Sequence, residues 1–374
     1  MKASFKVMDS DMHVLEPPDL WQRYIAPEFR DRAPAGQTRF QRDLGVSLDG
    51  KQLHDYRAAP ITGAGGKREY DEQDLKYRYS EEHGWDPRSQ VWAMDQEGID
   101  VAVLFPSRAL FSLAVDGLDP PLAAAIARAY NDWLYDFSKE CPDRLFGAAH
   151  LAPHDVNLAR QETRRCVQDL GFKAVYMRPN IVNGYNWHDS YFDPLWEECQ
   201  RLNVPVCFHE GGRTPYLNQV GNQFATTMLQ HACSHSMAMM MAAVSFCGGG
   251  VLERFPELRV AFLEGNCSWV PWLMWRLDEH QEWRGYEQPE LKLRPSEYFK
   301  RQCFVSVECD ETPAKYLEDA GCSHTVVFST DYPHPDSKYP YAVDSFLKQD
   351  FSPEAKRKYL WDNCARLYGF SPSD

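Results

Sequence analysis

Acids and imidazoles fall in this sequence at places where they could hold a divalent cation. Asp11 and His13 are two residues apart, so in an extended segment both side chains point the same way and can chelate one ion. Further along stand His209-Glu210, Glu264-Gly265-Asn266, Glu308 with Asp310, and Asp331-Tyr332-Pro333-His334. Imidazole and carboxylate are the donors that Zn, Mn or Fe accept. Each residue alone has a plainer reading. Asp11 could cap a turn, His209 could bond a backbone carbonyl, Asp331 could cap a helix, and Glu264 could pair with Arg178 or Arg259. It is the recurrence of these types just after apolar runs that points to one shared site.

Those apolar runs are the elements that must position the site. Strands are expected at Phe5–Met8, Val101–Phe105, Leu145–His150, Ala174–Met177, Val204–Phe208, Arg259–Leu263, Cys303–Val307 and Thr325–Ser329. Helical patterns lie between them at Pro120–Ser138, Asn157–Leu170, Pro194–Leu202, Met237–Phe255 and Pro313–Ala320, and a closing helix is expected from Pro353 to Tyr368. Eight strands alternating with helices make a single α/β domain over residues 1–374, a (β/α)8 (TIM) barrel whose chemistry sits at the C-terminal strand ends. Residues 37–86, between strands one and two, are polar and break the repeat. They are expected to form an inserted segment covering the active-site mouth. Their Gly63-Ala64-Gly65-Gly66-Lys67 stretch lacks the Ser or Thr of a phosphate loop and reads as a turn.

Composition narrows the function. With 40 Lys and Arg against 54 Asp and Glu the formal charge is −14, and no basic stripe offsets it, so nucleic acid is not an expected partner. The most apolar stretch, Met237 to Leu252, falls short of the roughly 18 residues of a membrane span. The start has no signal-peptide block, and eleven Cys without a CxxC pair argue against disulfide or zinc frameworks. A soluble, cytoplasmic protein is expected, with a homodimer as one conceivable assembly.

The chain resembles the branch of the amidohydrolase superfamily that holds the aminocarboxymuconate-semialdehyde decarboxylases and many amidohydrolase 2 proteins. Carrying the resemblance are Asp9-Ser-Asp11-Met-His13, Trp85-Asp-Pro-Arg88 with Met94-Asp95 through Asp100, and Val206-Cys-Phe-His209. Gly250 to Val260, Ser329-Thr-Asp331-Tyr-Pro-His334 and Asp362-Asn363 to Gly369 complete it in order along nearly the whole chain. The resemblance implies a barrel with a metal at its mouth. It implies Asp11, His13, His209 and Asp331 as ligands, with Asp331 also handling a proton and Asp9 supporting the turn. Decarboxylases of the family have a His on strand six, where this chain has Glu264. An ionised carboxylate is a poor proton donor unless desolvated, so Glu264 suits ligation better.

A metal-dependent hydrolase is therefore the first expectation. One or two ions (Zn, Fe or Mn) would be held by Asp11, His13, His209, Glu264 and Asp331. Bound water with its pKa lowered to about 7 would attack an amide, ester, lactone or thioester of a partly apolar small-molecule or acyl-carrier-linked substrate. Asp331, Glu264 and His235 would be catalytic, with Arg88, Arg178 and His334 binding substrate. His231 and His235 sit four apart, but Ala232 replaces the Glu of an HExxH zinc helix. The alternative is metal-dependent, non-oxidative decarboxylation of an unsaturated or aromatic acid. A metal-free binding protein is the third class, opposed by the full ligand set.

Overall fold

The computed structural model describes residues 2–35, 46–54, 75–210, 223–224 and 226–371. In chain order the strands are β1 (Met8–Val14), β2 (Val46–Leu48), β3 (Lys51–His54), β4 (Val101–Pro106), β5 (Leu145–His150), β6 (Ala174–Met177), β7 (Val206–His209), β8 (Val260–Leu263), β9 (Cys303–Val307) and β10 (Val326–Phe328). β1 and β4 to β10 pair in sequence order, every pair parallel. Ser10 Oγ donates to Phe328 O at 2.8 Å and His13 N to Tyr332 O at 2.7 Å, linking the first strand to the last. The result is the expected (β/α)8 barrel.

The strands form because short runs rich in Val, Phe and Ala are covered on both faces, as parallel sheets require. Every residue of β6, β7, β8, β9 and β10 is buried. Helices begin where the chain supplies caps. Asp155 accepts from Asn157 N and Leu158 N ahead of Val156–Gln168, and Pro120 and Pro121 open Pro120–Ser138. The expected Met237–Phe255 helix is broken. An α-helix Thr227–Ala243 runs into a π-turn Val244–Gly248, and a short helix Val251–Arg254 comes next. A Cβ on Gly249 would meet His188 at 2.5 Å, and Gly250 has φ +78°, so the glycines serve a tight turn rather than a helix. The closing helix is likewise interrupted by a π-turn at Lys358–Asp362. It seals the barrel through Asn363 Nδ2, which donates to Val326 O at 2.6 Å, and through Tyr368, whose hydroxyl donates to Ser10 O.

Strand one differs most from expectation. Of the expected Phe5–Met8 only Met8 falls within β1, which carries Asp9, Asp11 and His13 within the barrel wall, all buried. Its register against β4 shifts between Asp9 and Met12. Within the 37–86 stretch, β2 and β3 form an antiparallel hairpin tied back by Arg32 to Asp49 at 3.1 Å. Residues 75–82 pack on the loop after β10: Tyr77 donates its hydroxyl to His334 O at 2.9 Å, and Ser80 Oγ lies 2.7 Å from the Tyr332 hydroxyl. The Gly63–Lys67 stretch lies outside the described residues. All eleven Cys are free, and no helix among the described residues is long and apolar enough to cross a membrane.

Candidate metal centre at the barrel mouth

His13 donates Nδ1–H to Pro106 O at 2.8 Å, which leaves the Nε2 lone pair facing inward. Around that atom stand His209 Nε2 at 2.9 Å, Asp331 Oδ1 at 3.3 Å and Asp11 Oδ1 at 3.7 Å. His209 Nε2 is in turn 3.4 Å from Asp11 Oδ2 and 3.1 Å from Glu264 Oε2. Four stretches of chain thus converge: β1, the end of β7, the residue after β8 and the loop after β10. Glu264 and Asp331 both have positive φ, 48° and 56°. Non-glycine residues rarely adopt this conformation; here it turns the two carboxylates across the mouth.

The electrostatics fit a cation. Burial, reinforced by Glu264, Asp331 and other acids, pushes the Asp11 carboxyl well above its usual range. Burial and Asp331 do the same to Glu264. Burial and the neighbouring imidazoles lower His13 to about 4 and hold His209 well below its ordinary value, which favours the neutral rings that bind metal. Both oxygens of Asp11 and Oε2 of Glu264 are buried with no hydrogen-bond donor. Unsatisfied buried carboxylate oxygens of this kind cost several kcal/mol, about 1–3 each even when neutral partners could adapt. A dication among them would satisfy them, and the residues present fit one.

The remaining candidates divide. Asp331 Oδ1 lies 2.7 Å from His334 Nδ1, and His334 stacks on His13 with ring centroids 4.0 Å apart. Although burial opposes both shifts, the pair holds Asp331 well below the carboxylate range and raises His334 to about 9. His235, on Thr227–Ala243, places Nε2 3.5 Å from Glu264 Oε1. Arg178, buried after β6, forms an ion pair with Glu210 after β7, and Arg259 donates to Asn203 O, so Glu264 faces imidazoles rather than either arginine. Arg88 is not brought to the mouth. It is exposed on the helix Pro87–Glu97, its charge felt at the Cys141 thiol ahead of β5. Asp9 accepts from Asp11 N at 3.1 Å and Thr330 N at 3.3 Å, and so joins β1 to the end of β10.

Sequence reasoning overlooked several contributors. Ser107, directly after β4, sets Oγ 3.1 Å from His334 Nε2. Buried Glu16 holds that loop by accepting from the backbone N–H of Ser107, Arg108 and Ala109 at 3.1, 2.8 and 2.9 Å. Phe105 and Tyr176 wall the site, their ring centroids 6.0 and 6.1 Å from that of His209. A signal for Ser107 did exist, since it stands one residue beyond the apolar run of strand two, where the other barrel strands carry their polar side chains. The role of Glu16 depends on contacts across the fold and has no such signal.

Comparison with known proteins places this geometry in context. The chain is 27% identical over 304 residues to 2-amino-3-carboxymuconate-6-semialdehyde decarboxylase of Dictyostelium discoideum, covering 79% of this chain and 80% of that protein. It is 26% identical over 294 residues to gamma-resorcylate decarboxylase of Polaromonas sp., covering 75% and 86%. Among solved structures, 5-carboxyvanillate decarboxylase of Sphingomonas paucimobilis matches with TM-score 0.70 at 20% identity over 98% of this chain and all of that one. The Novosphingobium aromaticivorans 5-carboxyvanillate decarboxylase, with bound manganese, matches with TM-score 0.68 at 17% identity over 99% and 98%. Those two likenesses speak for the fold. Both of these curated relatives are decarboxylases, which overturns the expected hydrolysis of an amide, ester, lactone or thioester. The family model described as Amidohydrolase matches residues 9–370, nearly the whole chain, and the protein belongs to that family.

Proposed function

We propose that this protein is a metal-dependent, non-oxidative decarboxylase of an unsaturated or aromatic carboxylic acid. The observation that carries the reading is the cluster of Asp11, His13, His209, Glu264 and Asp331 at the mouth of a barrel with decarboxylases among its curated relatives. These five residues would hold the ion, and manganese, Zn or Fe would each suit the donors. When bound, the dication would polarise the substrate carboxylate and an oxygen beside it. Phe105 and Tyr176 would stack a planar acid beside the ligands, and Arg178 would balance its charge near the mouth. A proton carried on His334 would reach the substrate carbon through Asp331, across the 2.7 Å link. The carbon's π pair takes that proton to form a C–H bond. The C–C bond then breaks, carbon dioxide leaves, and its electron pair restores the double bond.

The test is a panel of hydroxybenzoates and amino- or hydroxy-substituted dienoic acids with manganese-loaded protein in heavy water. One deuterium at the vacated carbon for each carbon dioxide released is expected. Uptake of labelled oxygen from water into product, without carbon dioxide, would refute the proposal.

A further inference from the structure

We infer that the mouth holds a second divalent-cation site, formed by His231, His235 and Glu264 and joined to the first through the Glu264 carboxylate. His231 and His235 are one turn apart on Thr227–Ala243, so they share a face. Their rings lie 4.2 Å apart. Each directs Nε2 at a carboxylate from another part of the chain: His235 to Glu264 Oε1 after β8, and His231 to Asp336 Oδ2 in the loop after β10.

The distances separate a metal site from two hydrogen-bonded pairs. Both Nε2–O separations are 3.5 Å, beyond the roughly 2.7–3.2 Å of an N–H···O bond. Two ligands bonded tetrahedrally at about 2.1 Å to one ion stand about 3.4 Å apart. A donor atom from each of His231, His235 and Glu264 falls within 4.8 Å of the others. The other oxygen of Glu264, Oε2, is buried without a hydrogen-bond donor and lies 3.1 Å from His209 Nε2 of the first cluster. Glu264 thus offers one oxygen to each site. His231 and Asp336 have side chains 43% and 56% exposed, so this ion would sit at the solvent-facing rim and exchange more readily than the buried one. Imidazole with carboxylate suits Zn or Mn.

The experiment is a manganese titration of chelator-stripped full-length protein by calorimetry, with elemental analysis after desalting and electron paramagnetic resonance of the loaded sample. Two equivalents are expected in the parent, the weaker one lost in both His231→Ala and His235→Ala while the tighter one stays. Spin coupling between the ions should appear in the parent and vanish in the variants. A single equivalent in the parent would overturn the proposal, as would a second equivalent untouched by both substitutions. Carbon dioxide release by a protein that binds one equivalent would remove this site and leave the decarboxylase reading standing. Two equivalents in a protein that releases none from any acid in the panel would do the reverse.

Discussion

Glu264→Gln should stabilise the protein without metal and lose much of that gain when metal is bound. Oxygens of Glu264 and Asp331 come within 4.8 Å of each other. At an effective dielectric near 20, two charges that far apart repel by about 3.5 kcal/mol. Without metal, part of that repulsion is relieved by protonating Glu264, so the removable portion is about 1–3 kcal/mol. The Gln amide keeps the shape and can donate toward Asp331 where a carboxylate could not. Chelated Glu264→Gln should therefore be more stable than the chelated parent. For 374 residues, unfolding entropy near 0.8 kcal/mol/K makes 2 kcal/mol a rise of about 2–3 °C in Tm. With manganese that advantage should shrink by about 1.3 kcal/mol. A ligand saturated at a hundred times its Kd adds about 2.7 kcal/mol, and a tenfold weaker site at the same concentration adds only about 1.4 kcal/mol. Paired thermal melts in chelator and in manganese read both arms. A variant destabilised equally in both would refute the reasoning and make the cluster an ordinary polar network.

The packing sets three further expectations. A Cβ on Gly265 would meet Met239 Cγ at 2.5 Å and His235 O at 3.4 Å, so Gly265→Ala should lose about 1–3 kcal/mol in urea unfolding and shift Glu264 enough to weaken manganese binding. Glu311 accepts from Cys267 N and Ser268 N at 2.9 and 2.8 Å, so Glu311→Ala should cost about 2–4 kcal/mol by the same measurement, since it leaves buried donors without a partner. Burial, with the Arg178 charge, lowers His150 to about 3 against an unfolded value near 6.5. Its contribution is full above pH 6.5 and is lost as pH falls from there toward 3, because only the unfolded chain takes up the proton. At pH 4.5 that loss is about 2.7 kcal/mol, so the stability drop between pH 7 and 4.5 should shrink by about that much in His150→Phe; an unchanged drop would contradict the shift.

The apolar strands were legible in the sequence because burial on both faces leaves an unbroken hydrophobic run, as in Cys303–Val307 and Ala174–Met177, where expected and observed limits agree. β1 was misplaced for the opposite reason. Its Asp9, Asp11 and His13 face the site, so the strand lacks an apolar signature and Phe5–Met8, which meets it only at Met8, mimicked one. Asp11, His13, His209, Glu264 and Asp331 could be gathered from the sequence because barrel topology sends successive strand ends to one rim. The Asp331–His334–Ser107 chain and the Glu16 clamp could not, since they depend on how three loops meet.

The left-handed backbone at Glu264 and Asp331 limits which substitutions these positions tolerate. Asn, Asp and Gly accept that conformation, whereas branched side chains strain it. Drift at Asp331 is therefore steered toward Asn or Gly, replacements that spare the turn while removing the charge. Descendants of this chain that abandon catalysis should be well-folded barrels recognisable by an amide or a bare glycine at the rim, rather than collapsed proteins.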